Sequence, residues 1–258
     1  MRLLLGLNAY RILFMGILCL IAGYILGNVL PFNRAVRPNE LGYISNGYKH
    51  IVDLQSGKDT NIGSPGSNDL KSSPDGVWIA SWTYQKKSKR WLLELLSTSA
   101  WKRQSLGEFE IAFPTLSWSP DSMQIAFAAV PDGMENTFQN HELFLINRET
   151  LKIQRLTDNH YEDSMPDFSP DGRLLAYKST EDGFNHMYIL DIAKGEHHLV
   201  SDKTYAYAPV WSPDGKQIAF GSNHEGPNDA IYIIDADGQN LRRVSFNDAT
   251  DELPFWLP

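Results

Sequence analysis

The chain has very little cysteine and a deficit of positive charge, and both shortages narrow the classes of protein it can belong to. Of its 258 residues only Cys19 is a cysteine, so no disulfide can form within the chain. The 23 lysines and arginines are outnumbered by 31 aspartates and glutamates, which gives a formal net charge of −8. Binding to phosphate needs a cationic surface, so we expect no nucleic-acid partner.

Catalytic and metal-binding motifs are also scarce. The Gly-x-Ser-x-Gly signature of a serine hydrolase does not occur in the sequence. The seven histidines show no metal-ligand spacing, and residues 235–240 (DADGQN) depart from a calcium loop because the glycine comes at the fourth place rather than the sixth. We therefore predict no catalytic residue, no metal ion and no cofactor.

One long apolar run lies near the N-terminus. Residues 12–32 carry no charge, and an α-helix of that length spans about 31 Å, the thickness of a bilayer core. The run predicts that residues 1–35 form an uncleaved signal anchor, with a cleaved signal peptide or a buried soluble helix as alternatives. Two arginines on each side, together with the α-amino group, slightly favour a single-pass topology in which the body lies outside the cytoplasm, periplasmic or at the cell surface.

The rest of the chain is dominated by a repeat. The tetrapeptide Ser-Pro-Asp-Gly begins at Ser73, Ser169 and Ser212, and a near-copy, Ser-Pro-Asp-Ser, begins at Ser119. In chain order these serines are separated by 46, 50 and 43 residues, intervals in the range of propeller blades. The copies predict tight turns, because proline presets φ, aspartate bonds nearby backbone and glycine tolerates positive φ.

Apolar, β-rich segments follow each turn, and a second turn with a short strand completes each unit. Four strands per unit, several of them apolar on both faces, must be covered on two sides. Radial stacking of small antiparallel sheets provides that cover. The fold class predicted for residues 36–258 is therefore all-β, a propeller of four-stranded antiparallel blades.

The ends of the chain predict how the ring closes. Residues 253–258 (LPFWLP) align with residues 208–213 (APVWSP), whereas the N-terminal unit, about residues 37–71, lacks its first strand. Placing the last segment beside the first unit completes that blade, gives five blades and removes exposed sheet edges. An open ring, or one completed by a second chain, is the alternative.

Residues 209–220 (PVWSPDGKQIAF), followed by Ile-Tyr-x-x-Asp-x-x-Gly from Ile231, carry a family resemblance. This pattern resembles the WD-like repeat of the TolB propeller family, and similar repeats occur in the propeller domains of prolyl-oligopeptidase-type peptidases. The resemblance covers about residues 37–258. It implies a propeller that acts as a protein or peptide interaction module at the cell envelope.

Candidate binding residues lie in the crossings between blades, where the units differ most and where a rigid scaffold presents loops. We predict that acidic and tyrosine side chains at this channel mouth bind a basic or polar partner: Glu110, Tyr161, Glu162, Asp163, Tyr205, Tyr207, Asp251 and Glu252. The competing interpretation is that they are solvated loop residues. An alternative function, a five-bladed glycosidase or carbohydrate-binding propeller, needs two carboxylates about 5–9.5 Å apart, from among Asp163, Asp251 and Glu252.

Overall fold

The computed structural model describes most of the chain after residue 39. The described ranges are 40–45, 48–63, 70–100, 102–111, 114–135, 138–181, 183–201, 205–223, 225, 228–246 and 250–256. The predicted anchor lies outside them and stays a prediction. Within these ranges no helix has the length and apolar character needed to cross a bilayer.

Regular structure in the described ranges consists of twenty β-strands and one turn of 3₁₀ helix, Phe138–Asn140. The strands, in chain order, are β1 (Glu40–Ser45), β2 (Tyr48–Asp53), β3 (Asp59–Gly63), β4 (Leu70–Ser72), β5 (Trp78–Gln85), β6 (Arg90–Ser97), β7 (Arg103–Phe109), β8 (Leu116–Trp118), β9 (Gln124–Ala129), β10 (Glu142–Asn147), β11 (Ile153–Arg155), β12 (Asp163–Phe168), β13 (Leu174–Glu181), β14 (Phe184–Asp191), β15 (Glu196–Ser201), β16 (Tyr207–Trp211), β17 (Gln217–Ser222), β18 (Ala230–Asp235), β19 (Arg242–Arg243) and β20 (Asp251–Trp256).

These strands form five four-stranded antiparallel sheets among the described residues. Sheet 1 has the order β20-β1-β2-β3, and sheets 2 to 5 each contain four consecutive strands, β4–β7, β8–β11, β12–β15 and β16–β19. Strands that follow each other within a sheet are hydrogen-bonded neighbours. The predicted all-β fold of four-stranded antiparallel sheets is confirmed.

The Ser-Pro-Asp-Gly repeat forms the turn between the first and second strands of a sheet. In sheet 4 the Ser169 hydroxyl donates to Asp171 Oδ1 at 2.6 Å and accepts from the Leu174 N–H at 3.0 Å, while the Gly172 N–H donates to the Ser169 carbonyl at 2.9 Å. Gly172 has φ +74°, in the left-handed region that glycine adopts without steric cost. The repeated residues are therefore explained by turn geometry.

Neighbouring sheets are joined by buried apolar side chains. Four hydrophobic clusters of described residues lie between sheets 2 and 3, 3 and 4, 4 and 5, and 5 and 1. Facing members of these clusters, in the same order, include Trp82 with Phe127, Leu145 with Tyr177, Met187 with Phe220, and Leu41 with Ile231. Sheets 3, 4 and 5 are apolar on both faces because each packs against two neighbours.

Tryptophans of the repeat also tie the first strand of one sheet to that of the sheet before it. The Trp118 indole N–H donates to the Lys71 carbonyl at 3.0 Å, which links β8 to β4. The Trp256 indole N–H donates to the Val210 carbonyl at 3.1 Å, which links β20 to β16. These two indole hydrogen bonds thus join sheet 3 to sheet 2 and sheet 1 to sheet 5.

A single cavity is lined by residues on or next to the first strands of all five sheets, β4, β8, β12, β16 and β20. Sheets that pack face to face and share an axial cavity in this way form a β-propeller. The last strand, β20, pairs antiparallel with β1, with Trp256 opposite Leu41 and Asp251 opposite Ser45. The C-terminal segment therefore supplies the first strand of the sheet that contains β1.

Candidate functional site

The loops of the propeller lie on two opposite faces. The turns between first and second strands and between third and fourth strands form one face, named here the turn face. The loops between second and third strands, and the crossings to the next sheet, form the opposite face, named here the crossing face. All eight residues predicted to bind a partner lie in crossings or at the starts of first strands, on the crossing face.

Three of the predicted residues have side chains open to solvent to different degrees. Tyr205 is exposed, and its ring lies 5.6 Å from the ring of Phe184 in an edge-to-face arrangement. Glu252 is exposed at the start of β20. Glu110 is half-buried and lines a small cavity of about 110 Å³ together with Arg90 and Asp132. These three are accessible to a partner.

Asp163 is fully buried and holds the crossing from sheet 3 to sheet 4 in place. Its Oδ1 accepts a hydrogen bond from the Ser179 hydroxyl at 2.5 Å, and its Oδ2 accepts one from the Asn159 side chain at 2.8 Å. Its backbone N–H donates to the His141 carbonyl at 2.9 Å. Burial, opposed by these hydrogen bonds, raises the pKa of Asp163 to about 6.

Asp251 occupies the equivalent place in sheet 1. It is also fully buried, its N–H donates to the Asp229 carbonyl at 2.9 Å, and it lies opposite Ser45 as Asp163 lies opposite Ser179. Both side chains are therefore buried in this structure, and that Asp163 and Asp251 bind a partner stays a prediction. They begin first strands with their side chains directed into the protein.

Glu162 is buried as well, in an ion pair. Its Oε1 accepts hydrogen bonds from Lys178 Nζ at 2.8 Å and from the Ser164 hydroxyl at 3.1 Å. Both charged side chains are at least nine-tenths buried. The Glu162 carboxylate neutralises Lys178 inside the protein, so it is not free for a partner.

The two remaining tyrosines differ from Tyr205. Tyr161 is half-buried, and its N–H donates to the Asn159 side chain at 2.7 Å. Tyr207 lies flat over Gly221 of β17, where an added Cβ would come within 2.5 Å of the tyrosine ring. Burial raises the pKa of Tyr207, and its hydroxyl approaches the Asp251 carbonyl at 3.4 Å. Tyr207 acts mainly as a packing residue.

Three exposed aromatic residues on the crossing face, Tyr84, Phe184 and Phe246, were missed by the sequence reasoning, which had named Tyr205. Among the residues whose burial the structure describes, the exposed aromatic side chains include Tyr84, Phe184, Tyr205 and Phe246. Each belongs to a loop or strand end on the crossing face. Phe246 is the most open, at 78% exposed, with the Arg243 guanidinium 5.6 Å from its ring centre. Only their position beside the variable loops signals them in the sequence.

The axial cavity has a volume of about 360 Å³ and a mostly apolar wall. Prolines 114, 166, 209 and 254 contribute to it, as do Met165, Ala208 and Leu253, which have φ near +50° directly before three of those prolines. The pairing register of β12, β16 and β20 shifts at these dipeptides, as at β-bulges. The bulges bring backbone and apolar side chains to the cavity.

Among the described residues that line this cavity, Asp167 carries the carboxylate. Its Oδ1 accepts from the Ser117 hydroxyl at 3.1 Å and its Oδ2 accepts from the Trp211 N–H at 2.9 Å, so it links β8, β12 and β16. Burial raises the pKa of Asp167 to about 6, while the Lys71 charge acts in the opposite direction. Sequence reasoning did not identify Asp167.

In the described part of the chain no three histidine, cysteine, aspartate or glutamate side chains are grouped so that they could hold a metal ion. The glycosidase alternative relied on Asp163, Asp251 and Glu252. Two of these three carboxylates are fully buried, and a carboxylate that attacks or protonates a sugar must reach the substrate.

The fold and its loops define a class of protein, a β-propeller whose sheets are built on Ser-Pro-Asp-Gly turns. A model of the TolB beta propeller domain matches residues 67–205 and 166–258. These matches cover well over half of the chain, and the protein therefore belongs to the TolB β-propeller family.

Solved structures are similar in fold. TolB from Acinetobacter baumannii superposes with a TM-score of 0.59 at 21% identity, over 80% of this chain and 52% of that one. The putative TolB from Agrobacterium tumefaciens gives 0.60 at 18% identity, over 84% and 87%. An oligogalacturonate lyase in complex with manganese gives 0.55 at 14% identity, over 81% and 62%. This chain spans about half the length of the Acinetobacter protein, and identities this low show the fold alone.

Burial of Asp163 and Asp167 leads to a prediction about pH. Both carboxyls have a folded-state pKa of about 6, above the unfolded value of about 3.9. The folded state therefore binds protons at these two carboxyls more tightly than the unfolded state does. As pH rises from about 4 to 6, the free energy of unfolding is expected to fall by up to about 3 kcal/mol for each carboxyl. Urea unfolding of wild type across this window is expected to show a steeper decline than Asp163→Asn or Asp167→Asn.

Asp171 provides the control for this measurement. It lies in an exposed turn, where hydrogen bonds from Ser169 and Arg173 lower the pKa of its carboxyl. Asp171→Asn is therefore expected not to flatten the decline. Parallel stability curves for wild type and both buried-site variants would contradict the prediction.

Proposed function

We propose that this protein is a non-catalytic, membrane-tethered propeller of the TolB type that binds a protein or peptide through its crossing face. In this proposal the five sheets form one closed ring, residues 1–35 anchor it as a single-pass helix, and the propeller lies outside the cytoplasm at the cell envelope. The apolar run at residues 12–32 supports the tether. Membership of the TolB propeller family supports the envelope setting.

The observation that carries the proposal is the concentration of exposed aromatic side chains on one face. Phe184 and Tyr205 contact each other and are 49% and 44% exposed. Large aromatic residues at a surface are the anchors on which protein interfaces most often depend, because they bury much area with little loss of conformational freedom. On the turn face of the described residues the exposed large side chains are aliphatic, such as Val77 and Leu151.

Acidic residues on the crossing face favour a partner with basic or polar groups near the aromatic pair, whereas the β5–β6 loop of the same face carries the exposed lysines 86, 87 and 89. Glu252 and Asp158 are exposed on the crossing face, and Glu181 is half-buried near Phe184 in the same hairpin. Charges at the rim of an interface steer a complementary partner and set the register of binding more than they add affinity. The buried acidic residues Glu162, Asp163 and Asp251 support the scaffold beneath.

A non-catalytic role is supported by the state of the acidic residues. Asp163 and Asp251 are fully buried and hold strand ends, and Glu162 is neutralised by Lys178. Chemistry on a sugar or peptide needs an acid or base that touches the substrate. On the crossing face these three groups instead stabilise the fold.

The test uses the tagged full chain, purified in detergent from cells that naturally produce it. A double variant, Phe184→Ser with Tyr205→Ser, removes the aromatic pair, and Val77→Ser with Leu151→Ser is the matched control on the turn face. The amount of a partner protein that co-purifies with wild type and with the control should fall about tenfold with the crossing-face variant. All three chains should melt within a few degrees of each other because the substituted side chains are exposed.

Two results would overturn the proposal. One is a partner retained by the crossing-face variant, or one lost equally from the turn-face control. The other concerns the tether: deletion of residues 1–35 is expected to move the propeller from the membrane fraction to the soluble fraction. An unchanged distribution would refute the anchor.

A further inference from the structure

The axial cavity has chemistry that the crossing face does not use. Its volume of about 360 Å³ is at the lower end of the range for small-molecule sites, about 300–1,000 Å³. It is lined mainly by the first strands of the propeller, so its shape depends largely on the rigid scaffold. A ligand the size of a single amino acid or a dipeptide is the scale that fits.

At one equivalent position of the five first strands, the cavity wall is polar on one side and apolar on the other. One position of each first strand can be compared around the ring, the second residue before the turn. In β12 this residue is Asp167, which is followed by Phe168 and then by the turn at Ser169. In order around the ring these residues are Lys71, Ser117, Asp167, Val210 and Phe255. Three consecutive positions are therefore polar and two are apolar. Of these five, Lys71, Asp167, Val210 and Phe255 line the cavity itself. The Ser117 hydroxyl donates a hydrogen bond to Asp167.

The two charged groups at this position, Lys71 and Asp167, can each accept or donate further hydrogen bonds to a ligand. Lys71 Nζ makes no hydrogen bond and no ion pair within 4.0 Å to any residue in the described ranges. Asp167 accepts one hydrogen bond on each oxygen, from Ser117 and Trp211, whereas a carboxylate can accept about four. A cationic and an anionic group thus face one small cavity without neutralising each other by direct contact.

We propose that the axial cavity binds a small zwitterion with an apolar body, of the class of apolar amino acids and short apolar peptides. The ligand ammonium group donates to Asp167, the ligand carboxylate pairs with Lys71, and the apolar body packs against Val210, Phe255 and the cavity prolines. This site is independent of the aromatic pair on the crossing face.

Other ligand classes fit the wall less well. A neutral apolar molecule would displace water from Lys71 and Asp167 without replacing their hydrogen bonds, which is unfavourable for charged groups. A simple cation can pair with Asp167 but leaves Lys71 unpaired, and a simple anion can pair with Lys71 but leaves Asp167 unpaired. Only a ligand with both charges satisfies both residues at once.

Calorimetric titration of the full chain in detergent tests this proposal with probes that share one apolar body. Phenylalanine carries both charges, phenethylamine only the cation, and 3-phenylpropionate only the anion; the dipeptide Leu-Phe is a longer zwitterion. At least one zwitterion is expected to bind about tenfold more tightly than either singly charged probe. Comparing phenylalanine with Leu-Phe separates a free amino acid from a peptide as the ligand.

Substitutions at the two charges identify the site. Lys71→Met should weaken zwitterion binding about tenfold and leave phenethylamine binding no weaker. Asp167→Asn should abolish the gain in affinity that the ligand ammonium group provides. Lys71 is exposed and its side chain makes no described bond, so the first variant should fold even if the second is unstable. Lys216→Met, at an exposed lysine on the turn face, is the matched control.

The outcomes separate cleanly from those of the partner test. No binding of any zwitterion at millimolar concentration would overturn the cavity assignment, as would binding unaffected by Lys71→Met. Equal affinity for the zwitterions and their singly charged analogues would also overturn it. None of these results depends on Phe184 or Tyr205, so failure here leaves the crossing-face proposal standing.

Discussion

A chain truncated before Asp251, and so lacking β20, is expected to lose the cooperative unfolding transition of the propeller. Sheet 1 would then consist of three strands, and the backbone groups of β1 that pair with β20 would face the cavity unpaired. Leu41 and Tyr43 on β1 are completely buried and would lose cover. The indole hydrogen bond from Trp256 to Val210, which ties sheet 1 to sheet 5, would also be absent.

The size of this effect follows from the total stability of a domain. Loss of a large core side chain costs about 2–5 kcal/mol, and the whole free energy of unfolding is about 5–15 kcal/mol. Removing Trp256 and uncovering Leu41 and Tyr43 together approach that total. Calorimetry or near-UV circular dichroism of the truncated chain should show no sharp melting transition.

Glu252→Ala in the full chain serves as the control, because Glu252 is exposed on the same strand. Its melting temperature should stay within a few degrees of wild type, as for most surface substitutions. A truncated chain that melts cooperatively near the wild-type temperature would show that the propeller does not depend on its terminal strand.

Glu162→Ala is expected to destabilise the protein by about 3–5 kcal/mol, because it leaves Lys178 buried without its counter-ion. The Lys178 Nζ to Glu162 Oε1 distance is 2.8 Å, and both side chains are at least nine-tenths buried. Replacing both residues, as in Glu162→Leu with Lys178→Leu, should recover much of the loss because no charge is then left in the interior. Urea unfolding of Glu162→Leu, Lys178→Leu and the double variant measures this coupling.

The exposed pair of Arg90 with Asp132 is the comparison. Its distance is 2.9 Å, but the Asp132 side chain is 90% exposed, so Asp132→Ala should cost less than about 1 kcal/mol. Equal losses for Glu162→Ala and Asp132→Ala would contradict the assignment of Glu162 to the scaffold. The prediction also warns that a loss of partner binding in Glu162→Ala reports instability rather than a contact.

Much of the fold was predictable because its signals are local. A Ser-Pro-Asp-Gly turn is encoded by four adjacent residues, as in the hydrogen bonds of Ser169, Asp171 and Gly172. Strand length and apolar character depend on segments of five to eight residues, such as β13 and β14. The similarity of residues 253–258 to residues 208–213 indicated a strand like β16, and β20 forms next to β1.

The binding residues were harder to predict because exposure is decided by neighbours from other sheets. Glu162 and Asp163 stand side by side with Tyr161 in a loop that looks solvated in the sequence, yet Lys178, Ser179 and Asn159 enclose them. Phe184 and Tyr205 are 21 residues apart in sequence and belong to different loops, so their contact is visible only in three dimensions.

The sequence by itself determined a repeated four-stranded unit, its turns and its family, because each depends on residues close together in the chain. Only the tertiary structure decided which carboxylates are buried and that Lys71 and Asp167 face one cavity. Those two residues are brought to the same level by strands from different sheets, 96 positions apart in the chain. Burial and electrostatic environment are set by such distant neighbours, which no local pattern specifies.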